Sequence, residues 1–489
     1  MNILVNGFAT HAVDGLVAKL AATPPVDHVY WIRDNLGERR LSSGPEITVI
    51  DHQAALVLES ENMPSVRTTV EWTDALLDRY TAIKPTVLKM QDRLERYGPP
   101  VSAPTREATF RRQFLYWLGF LREYRIEAFV ASNIPHEIAD YVIAELCGVL
   151  GIQTLYFYQW TPDLLLPMAH YREMGQPATR PAAVLSDEDA DIRSAVGNRI
   201  SRQQRGEAEA RPFYVQAGNI ARQRRKREQH WLTRAANKLK GDWRKLIRPS
   251  ALRYAWYLGI EKRWTQPRHD EAFVRRYAAL ADSTPDLERP YVYLALHYQP
   301  EATTSPLAER FVDQYLMVDV LLAAFPPEVH VYVKEHPAQR LIGRGARYYE
   351  LFGKSARVRF IATEVSSSTL QQRAVAVATA SGTVGFESMW KGIPVLAFGY
   401  TYYEGGPGVY TVRSVADARR AAKRIMEGDH PAASDPETFT QELVKRALPA
   451  NGDGYYHDNS VLGLSVGHNV RVIGNEIIAR LAAPASPPS

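Results

Sequence analysis

The sequence predicts an α/β protein in which two parallel sheets, each covered by helices, face one another across a cleft. Over the first 160 residues, short and almost wholly apolar runs alternate with longer amphipathic ones, and the same alternation returns from about residue 289 to 427. The stretch between them, roughly 175–285, is polar, helical in character and without strand patterns. Strands that are apolar on both faces and alternate with helices are typical of parallel sheets.

In the first half, helices are predicted over Arg106–Arg122 and Glu137–Leu150. Strands are predicted over 2–7, 28–32, 46–51, 127–132 and 154–158. Because such runs of β-branched and aromatic residues separated by helices build βα units, this half is expected to form a Rossmann-like domain.

The second half repeats the pattern. Thr304-Ser305-Pro306 predicts the start of a helix that ends at Phe325, with hydroxyl groups as the cap and Pro in the first turn. Strands are predicted over 290–296, 329–333, 357–361, 374–379 and 394–398, and helices near 345–352, 383–390 and 413–427. The expected domains are a first Rossmann-like domain (1–175), a helical basic insertion (176–285), a second Rossmann-like domain (286–430), and C-terminal helices with a disordered tail (431–489).

Composition narrows the class of protein. The 489 residues are 45% apolar and 23% charged, which is ordinary for a soluble globular chain of two or three domains. The single cysteine, Cys147, excludes an intramolecular disulfide and fits a reducing compartment. No secretory signal and no run of about 20 apolar residues is present. We therefore expect a cytoplasmic protein, peripheral at most to the inner face of the membrane.

Positive charge is concentrated in one segment. Residues 221–263 hold 14 Lys and Arg against three acids, whereas the rest of the chain holds 45 bases and 51 acids. One interpretation is a solvated helical linker. The other is a contact with an anionic membrane surface, because Trp and Leu residues are interleaved with the bases as in an interfacial amphipathic helix. A nucleic-acid partner is not expected, since no recognised reading motif accompanies the segment.

The strongest motif is the turn Ser381-Gly382-Thr383, which follows an apolar strand and begins a helix. Backbone N–H groups and the positive end of a helix favour a phosphate there. Glu387, one helical turn later, is expected to accept from ribose hydroxyls. The alternative is a simple strand-to-helix turn capped by Ser381.

Other polar residues follow strands that should end at the same edge. We expect His336 to donate to a leaving phosphate, with Lys334 and Pro337 beside it, although it could instead be a histidine hydrogen-bonded at a strand end. Gln299 and Glu301 are expected to bind the phosphate-bearing ligand, and the alternative is that their loop only caps the following helix. In the first half, His136, Glu137 and His11 are candidate bases for an acceptor hydroxyl, although each could instead cap a helix or line a solvated rim. No metal site is expected: one cysteine excludes zinc spacings, and the acids at 187–191 suit a helix start.

Four stretches carry a resemblance: YVYLALHYQPEATTSP, VYVKEHP, ASGTVGFESMWKGIPVLAFG and, in the first half, NIPHEIADYVIAELCGVLGIQTLYFYQ. They resemble the capsule polysaccharide biosynthesis family, bacterial glycosyltransferases of the two-domain GT-B fold that include Kdo transferases. The family is similar, through its His-Pro motif, to bacterial sialyltransferases. The resemblance implies a nucleotide-activated donor, often CMP-linked, with His336-Pro337 as the His-Pro motif and Ser381, Gly382 and Thr383 as the phosphate-binding turn.

The sequence thus predicts a metal-independent GT-B glycosyltransferase that acts on a surface polysaccharide or glycolipid and needs no cofactor besides its nucleotide-sugar substrate. Two alternatives stay open. A sugar-nucleotide epimerase of the same fold would need no acceptor, and a non-catalytic scaffold of a capsule assembly complex would bind no nucleotide.

Overall fold

The computed structural model describes residues 1–33, 46–58, 63–67, 70–95, 101–176, 182–206, 264–428 and 435–483. These residues form two sheets with helices packed against both, so the prediction of two α/β domains with the GT-B architecture is confirmed. Helices Asp187–Gln204 and Gln266–Leu280 lie at the two ends of the connecting region. The basic segment 221–263 and the tail after residue 483 lie outside the described residues.

The first sheet consists of β1 (Asn2–Asn6), β2 (His28–Arg33), β3 (Ile47–Asp51), β4 (Ile126–Ala131), β5 (Gln153–Thr161) and β6 (Leu164–Met168). Their order is β3-β2-β1-β4-β5-β6, and only β6 runs antiparallel to its neighbour. All five predicted strands are present. The sequence prediction missed β6 for two reasons. Proline is rare inside a sheet, so Pro167 argued against a strand, and only Pro162 and Asp163 separate β6 from β5.

The second sheet consists of β7 (Ala281–Asp282), β8 (Tyr291–Ala295), β9 (His330–Lys334), β10 (Val358–Ile361), β11 (Ala376–Thr379), β12 (Val395–Ala397) and β13 (Val409–Thr411). Its order is β13-β12-β11-β8-β9-β10-β7, and every pair is parallel. The central strands are buried on both faces, which explains their uninterrupted apolar sequences. The parallel arrangement brings the ends of β8, β9 and β11 to one edge.

The other helices pack on the two sheets. They are Leu16–Ala21, His52–Val57, Asp74–Met90, Asp92–Glu95, Ala103–Glu123, Ile138–Leu150, Tyr315–Ala324, Ser367–Arg373, Thr383–Trp390, Val415–Met426, Asp435–Arg446, Gly454–Asp458 and Val466–Ala482, with short 3-10 turns at His11–Val13, Tyr171–Glu173, Glu309–Val312 and Tyr348–Phe352.

The helix predicted to begin at Thr304-Ser305-Pro306 begins instead at Tyr315. Thr304 and Ser305 are buried, and the Thr304 hydroxyl donates back to the carbonyl of Glu301 at 2.9 Å. That hydroxyl therefore closes a turn in the preceding loop and caps no helix.

The C-terminal part of the chain returns to the first domain. Helix Val466–Ala482 buries Ile473 and Ile477 against Leu16 of the first helix. Asp163, in the turn between β5 and β6, accepts from the Val461 N–H at 2.8 Å and from the Ser460 hydroxyl at 2.5 Å. These contacts attach the end of the chain to the first sheet.

In the described part of the chain, no helix combines the length and the apolar character that crossing a membrane requires.

Candidate functional site

The carboxyl edges of the two sheets meet at a small interdomain cavity of about 140 Å³. Asn133 and His136, in the loop after β4, and Tyr158 of β5 line it from the first domain. Glu301, after β8, and Ser381, after β11, line it from the second. His136 Nε2 lies 3.7 Å from Glu301 Oε1. An imidazole and a carboxylate from different domains therefore share the cavity.

A buried ion pair between Glu335 and Arg344 anchors the loop after β9. Arg344 Nη2 and Nε donate to the two carboxylate oxygens of Glu335 at 3.0 and 3.1 Å. The Tyr349 hydroxyl donates to Glu335 Oε2 at 3.0 Å, and the Glu335 N–H donates to the Tyr277 hydroxyl at 2.9 Å. A two-point pair with further hydrogen bonds satisfies a carboxylate that burial alone would destabilise. The loop is therefore held in one geometry.

His336 lies on this loop, next to the exposed Pro337. The Ala338 N–H donates to His336 Nδ1 at 3.2 Å, so Nε2 is the ring nitrogen that carries the proton. Although His336 is an exposed residue, partial desolvation of its ring lowers the pKa below the ordinary value, and Glu335 opposes this less strongly. At neutral pH the side chain is thus a neutral Nε2–H donor.

The turn after β11 directs its first amides into the protein. The N–H groups of Ala380 and Ser381 donate to Nε2 of the buried His297 at 3.1 and 3.2 Å. The Gly382 N–H donates to Thr379 Oγ1 at 3.3 Å. This corrects the expectation that the amides of Ser381 and Gly382 face a phosphate. The Ser381 amide donates to a histidine 84 residues earlier in the chain, and the Gly382 amide donates to Thr379.

Of the side chains in this turn and the first turn of the helix, that of Ser381 lines the cavity, and those of Thr383 and Glu387 do not. The Ser381 hydroxyl donates to the carbonyl of Thr303 at 2.7 Å and retains lone pairs for another donor. The Thr383 hydroxyl donates to Glu387 Oε1 at 3.4 Å, one helical turn away. Burial raises the pKa of Glu387, and Lys391 opposes that shift. The role of Glu387 toward ribose hydroxyls stays a prediction.

Two residues predicted to bind the donor have their polar atoms bonded inside the second domain. Gln299 is buried, and its Nε2 donates to the carbonyl of Val312 at 2.9 Å. Lys334 Nζ donates to the carbonyl of Val365 at 2.5 Å and to Ser367 Oγ at 3.0 Å. Both residues lie at the expected sheet edge, but these contacts make them supports of neighbouring loops.

In the first domain, the structure separates the neighbours His136 and Glu137. The buried Asp140 carboxylate accepts from their N–H groups at 2.8 and 2.7 Å. Glu137 is the N-cap of helix Ile138–Leu150, which is the capping alternative left open by the sequence. Burial raises the pKa of Asp140 to about 7, against the effect of those N–H groups. His136, but not Glu137, lines the cavity.

His11 follows β1 but does not line the described cavity. Its Nε2 lies 2.7 Å from Asp458 Oδ1, and 58% of its side chain is exposed. Its ring meets that of His457 edge to face, with 5.5 Å between centroids. The candidate base His11 is therefore a residue of the rim, paired with the C-terminal segment.

The sequence prediction missed a group of aromatic residues that joins the domains at the cavity. Tyr158 and Tyr402 stack with ring centroids 6.1 Å apart, and Trp160 meets Phe386 edge to face at 6.2 Å. The Tyr403 hydroxyl donates to the carbonyl of Gly382 at 2.6 Å. The aromatic-rich runs at 156–160 and 400–403 carried this signal. The first run is in β5 and the second is in the loop after β12 of the other domain, so sequence alone could not show that they pack together.

Cations of the first domain also contact the segment 305–313 of the second. The pairs are Arg172 Nε with Glu309 Oε1 at 2.5 Å, Lys89 Nζ with Asp313 Oδ1 at 2.9 Å, and Arg93 with the carbonyl of Ser305. The domains are therefore joined by charged as well as aromatic contacts.

A family model described as capsule polysaccharide biosynthesis protein matches residues 313–433. Over these residues, the chain is similar to the capsule polysaccharide biosynthesis family. The matched part includes His336, Pro337 and the turn at 381–383, so the resemblance stated from the sequence is confirmed. A search of curated protein sequences finds no significant match.

Solved structures overlap the chain only loosely. The beta Kdo 2,4 transferase of Thermosulfurimonas dismutans KpsC has 13% identity and a TM-score of 0.28, with 61% of this chain and 79% of that chain covered. The UDP-GlcNAc 2-epimerase of Methanocaldococcus jannaschii has 10% identity and a TM-score of 0.24, with 90% and 98% covered. At these scores the overlaps support no argument, and the GT-B assignment rests on the two sheets of this chain.

Proposed function

We propose that the protein is a glycosyltransferase that moves a sugar from a nucleotide-activated donor to a saccharide or lipid-linked acceptor during assembly of a surface polysaccharide. The observation that carries the proposal is the interdomain cavity, in which His136 of one domain lies 3.7 Å from Glu301 of the other. The family match over 313–433 supports the same class of chemistry. The resemblance favours a CMP-linked donor.

In the proposed reaction, an acceptor hydroxyl oxygen forms a bond to the anomeric carbon while the bond from that carbon to the phosphate oxygen breaks. The electron pair of the broken bond leaves with the nucleotide. His336 Nε2–H donates to the departing phosphate, and the start of helix Thr383–Trp390 adds the positive end of its dipole. A fixed neutral donor suits this step because it needs no protonation at neutral pH.

The proton of the acceptor hydroxyl goes to a base, and His136 is the best placed of the three candidates. Glu137 caps a helix and His11 lies at the rim, whereas His136 lines the cavity beside Glu301. A carboxylate next to an imidazole orients the ring and stabilises the imidazolium that forms. Glu301, predicted from the sequence to bind the donor, takes this second role in the proposal.

The enclosed space contains the proposed base but has no room for a whole donor, and His336 does not line it. At about 140 Å³ it is smaller than the roughly 300–1,000 Å³ typical of ligand pockets. We propose that the domains separate to admit the nucleotide sugar and close around the reacting groups.

A thermal-shift panel of CMP, UDP, GDP and dTDP tests the donor class. Binding raises the melting temperature by mass action, so the preferred nucleotide should give the largest shift. A response to CMP alone supports the CMP-sugar proposal. No response to any of the four contradicts a nucleotide-dependent transferase and favours the scaffold alternative.

Incubation with nucleotide sugars in the absence of acceptor separates the proposal from an epimerase. A transferase should leave the sugar unchanged or hydrolyse it slowly. Isomerisation of the sugar would replace the proposal with the epimerase alternative. A separate assay with acceptor and EDTA tests metal independence, and we predict that the rate of transfer is unchanged.

We also propose, from its composition alone, that the segment 221–263 binds an anionic membrane surface and brings the enzyme to a lipid-linked acceptor at the inner face of the membrane. Co-sedimentation with acidic vesicles should be strong at low salt and weak at high salt, because salt screens charge. Equal and negligible binding to neutral and acidic vesicles would contradict it.

A further inference from the structure

His297 has no role in the reaction proposed above, yet it is a buried polar residue near the site. It follows β8 by two residues and is 8% exposed. Its Nε2 accepts from the N–H groups of Ala380 and Ser381 at 3.1 and 3.2 Å and lies 2.9 Å from Thr379 Oγ1. The imidazole therefore occupies the concave side of the turn after β11.

Such a contact requires a neutral ring whose proton is on Nδ1, since a protonated Nε2 cannot accept. Burial, with smaller contributions from Arg344 and His336, lowers the pKa of His297 to about 3. The ring stays neutral throughout the pH range in which an enzyme works. It is a permanent acceptor for the two backbone amides.

The backbone of His297 is connected to the loop that carries His336. The carbonyl of His297 accepts from Arg344 Nη2 at 2.6 Å. Arg344 also pairs with Glu335, whose Oε1 accepts from the His336 N–H at 2.8 Å. The residue thus contacts the turn through its ring and the other loop through its main chain.

Gly382 shows how closely the ring fits the turn. A Cβ atom on Gly382 would lie 2.9 Å from His297 Cε1 and 3.0 Å from Thr379 Oγ1. The backbone φ of Gly382 is −77°, which any residue adopts, so the restriction is one of space. Glycine is required here because the imidazole takes the room that a side chain would need.

We infer that His297 is a positioning residue for the donor phosphate. Its neutral imidazole holds the turn 379–382, from which helix Thr383–Trp390 begins, at a set distance from His336, so that one phosphate meets both. The inference rests on the proposed function, because the phosphate is that of the nucleotide sugar. Its physical basis is that the turn would otherwise leave the buried N–H of Ala380 and the partly buried N–H of Ser381 without this acceptor.

The test compares His297→Gln, which retains an acceptor near the position of Nε2, with His297→Leu, which has similar bulk and none. Hydrogen exchange of peptides that contain Ala380 and Ser381 is measured without ligand, and affinity for CMP and UDP is measured by calorimetry. We expect His297→Leu to speed exchange in this turn and to weaken nucleotide binding on the order of tenfold or more. His297→Gln should stay within a few-fold of wild type.

The matched control is His330→Leu, the same change in a half-buried histidine at the opposite end of β9. It should leave both the exchange of the turn and the nucleotide affinity unchanged. If His297→Leu lowers the melting temperature but binds nucleotide as wild type does, His297 is merely structural and the inference is wrong.

Two other experimental outcomes also test the inference. If His297→Leu does not fold, ¹⁵N spectra of the histidines in the wild type should show His297 protonated at Nδ1 from roughly pH 5 to 8, and titration within that range overturns the inference. If wild type binds neither CMP nor UDP while exchange responds as expected, the proposed function fails and the inferred contact stands.

Discussion

Each domain has a rim, which is the set of loops after its strands at the cleft. The two rims differ in where their polar groups point. In the second domain, Glu335, Arg344 and Gln299 are buried and bonded to one another, so most of the polarity builds the loops themselves. In the first domain, His136 lines the cavity and His11 is exposed. A rigid rim suits a phosphate, whose geometry is constant. A more open rim suits acceptor hydroxyls, whose positions vary.

The largest expected effect is a loss of stability when the buried ion pair of the second domain is broken. Arg344→Met should lower the free energy of unfolding by about 3–5 kcal/mol, because it leaves the Glu335 carboxylate buried without a cation. Urea denaturation measures the change. The control is Arg347→Met, which removes an exposed pair with Glu350 and should cost about 0–1 kcal/mol. Equal midpoints for the two variants would mean that the second rim is no more rigid than the surface.

On the open rim, His136→Asn should reduce kcat/KM on the order of 100-fold or more, since it removes the proposed base. Its control is Glu137→Gln, which changes a helix cap and should leave kcat/KM within a few-fold of wild type. Steady-state transfer rates with the identified donor decide between them. A larger loss for Glu137→Gln would make Glu137 the base and reverse our assignment.

His336→Ala should slow turnover on the order of 100-fold, because one preorganised donor to the leaving phosphate is lost. His269→Ala, at an exposed histidine of helix Gln266–Leu280, is the control and should have no effect. Because its lowered pKa keeps His336 neutral, the ratio of wild-type to His336→Ala activity should not fall as the pH rises from about 7 to 8.5. A ratio that collapses over this range would indicate that the imidazolium form is required.

The smallest expected effect is that of Tyr403→Phe. This change removes the hydroxyl that donates to the carbonyl of Gly382 at 2.6 Å and should cost about 1 kcal/mol of stability. Thermal denaturation measures it. Since the aromatic ring remains, the packing of the domains should persist. No measurable loss would show that the turn is held by His297 and Thr379 without this contact.

Much of the fold could be predicted because its signals are local. The strands β1, β9 and β11 are apolar on both faces, and helix Ile138–Leu150 ends at Gly151. The carboxyl-edge position of His336 and Ser381 followed directly from the strand pattern. The strand β6 and the true start of the helix at Tyr315 were missed because a turn at Asp163 and the burial of Thr304 depend on distant contacts.

The sequence by itself determined the two βα alternations, the family resemblance of the second half, and which loops lie at the cleft. Only the tertiary structure decided how the polar atoms of those loops are used: Lys334 and Gln299 support their neighbours, and His297 takes the amides of the turn after β11. The physical reason is that hydrophobic periodicity shows which residues of a segment are buried. A hydrogen bond between residues 84 positions apart depends on how the strands are ordered in the sheet, and no local pattern contains that order.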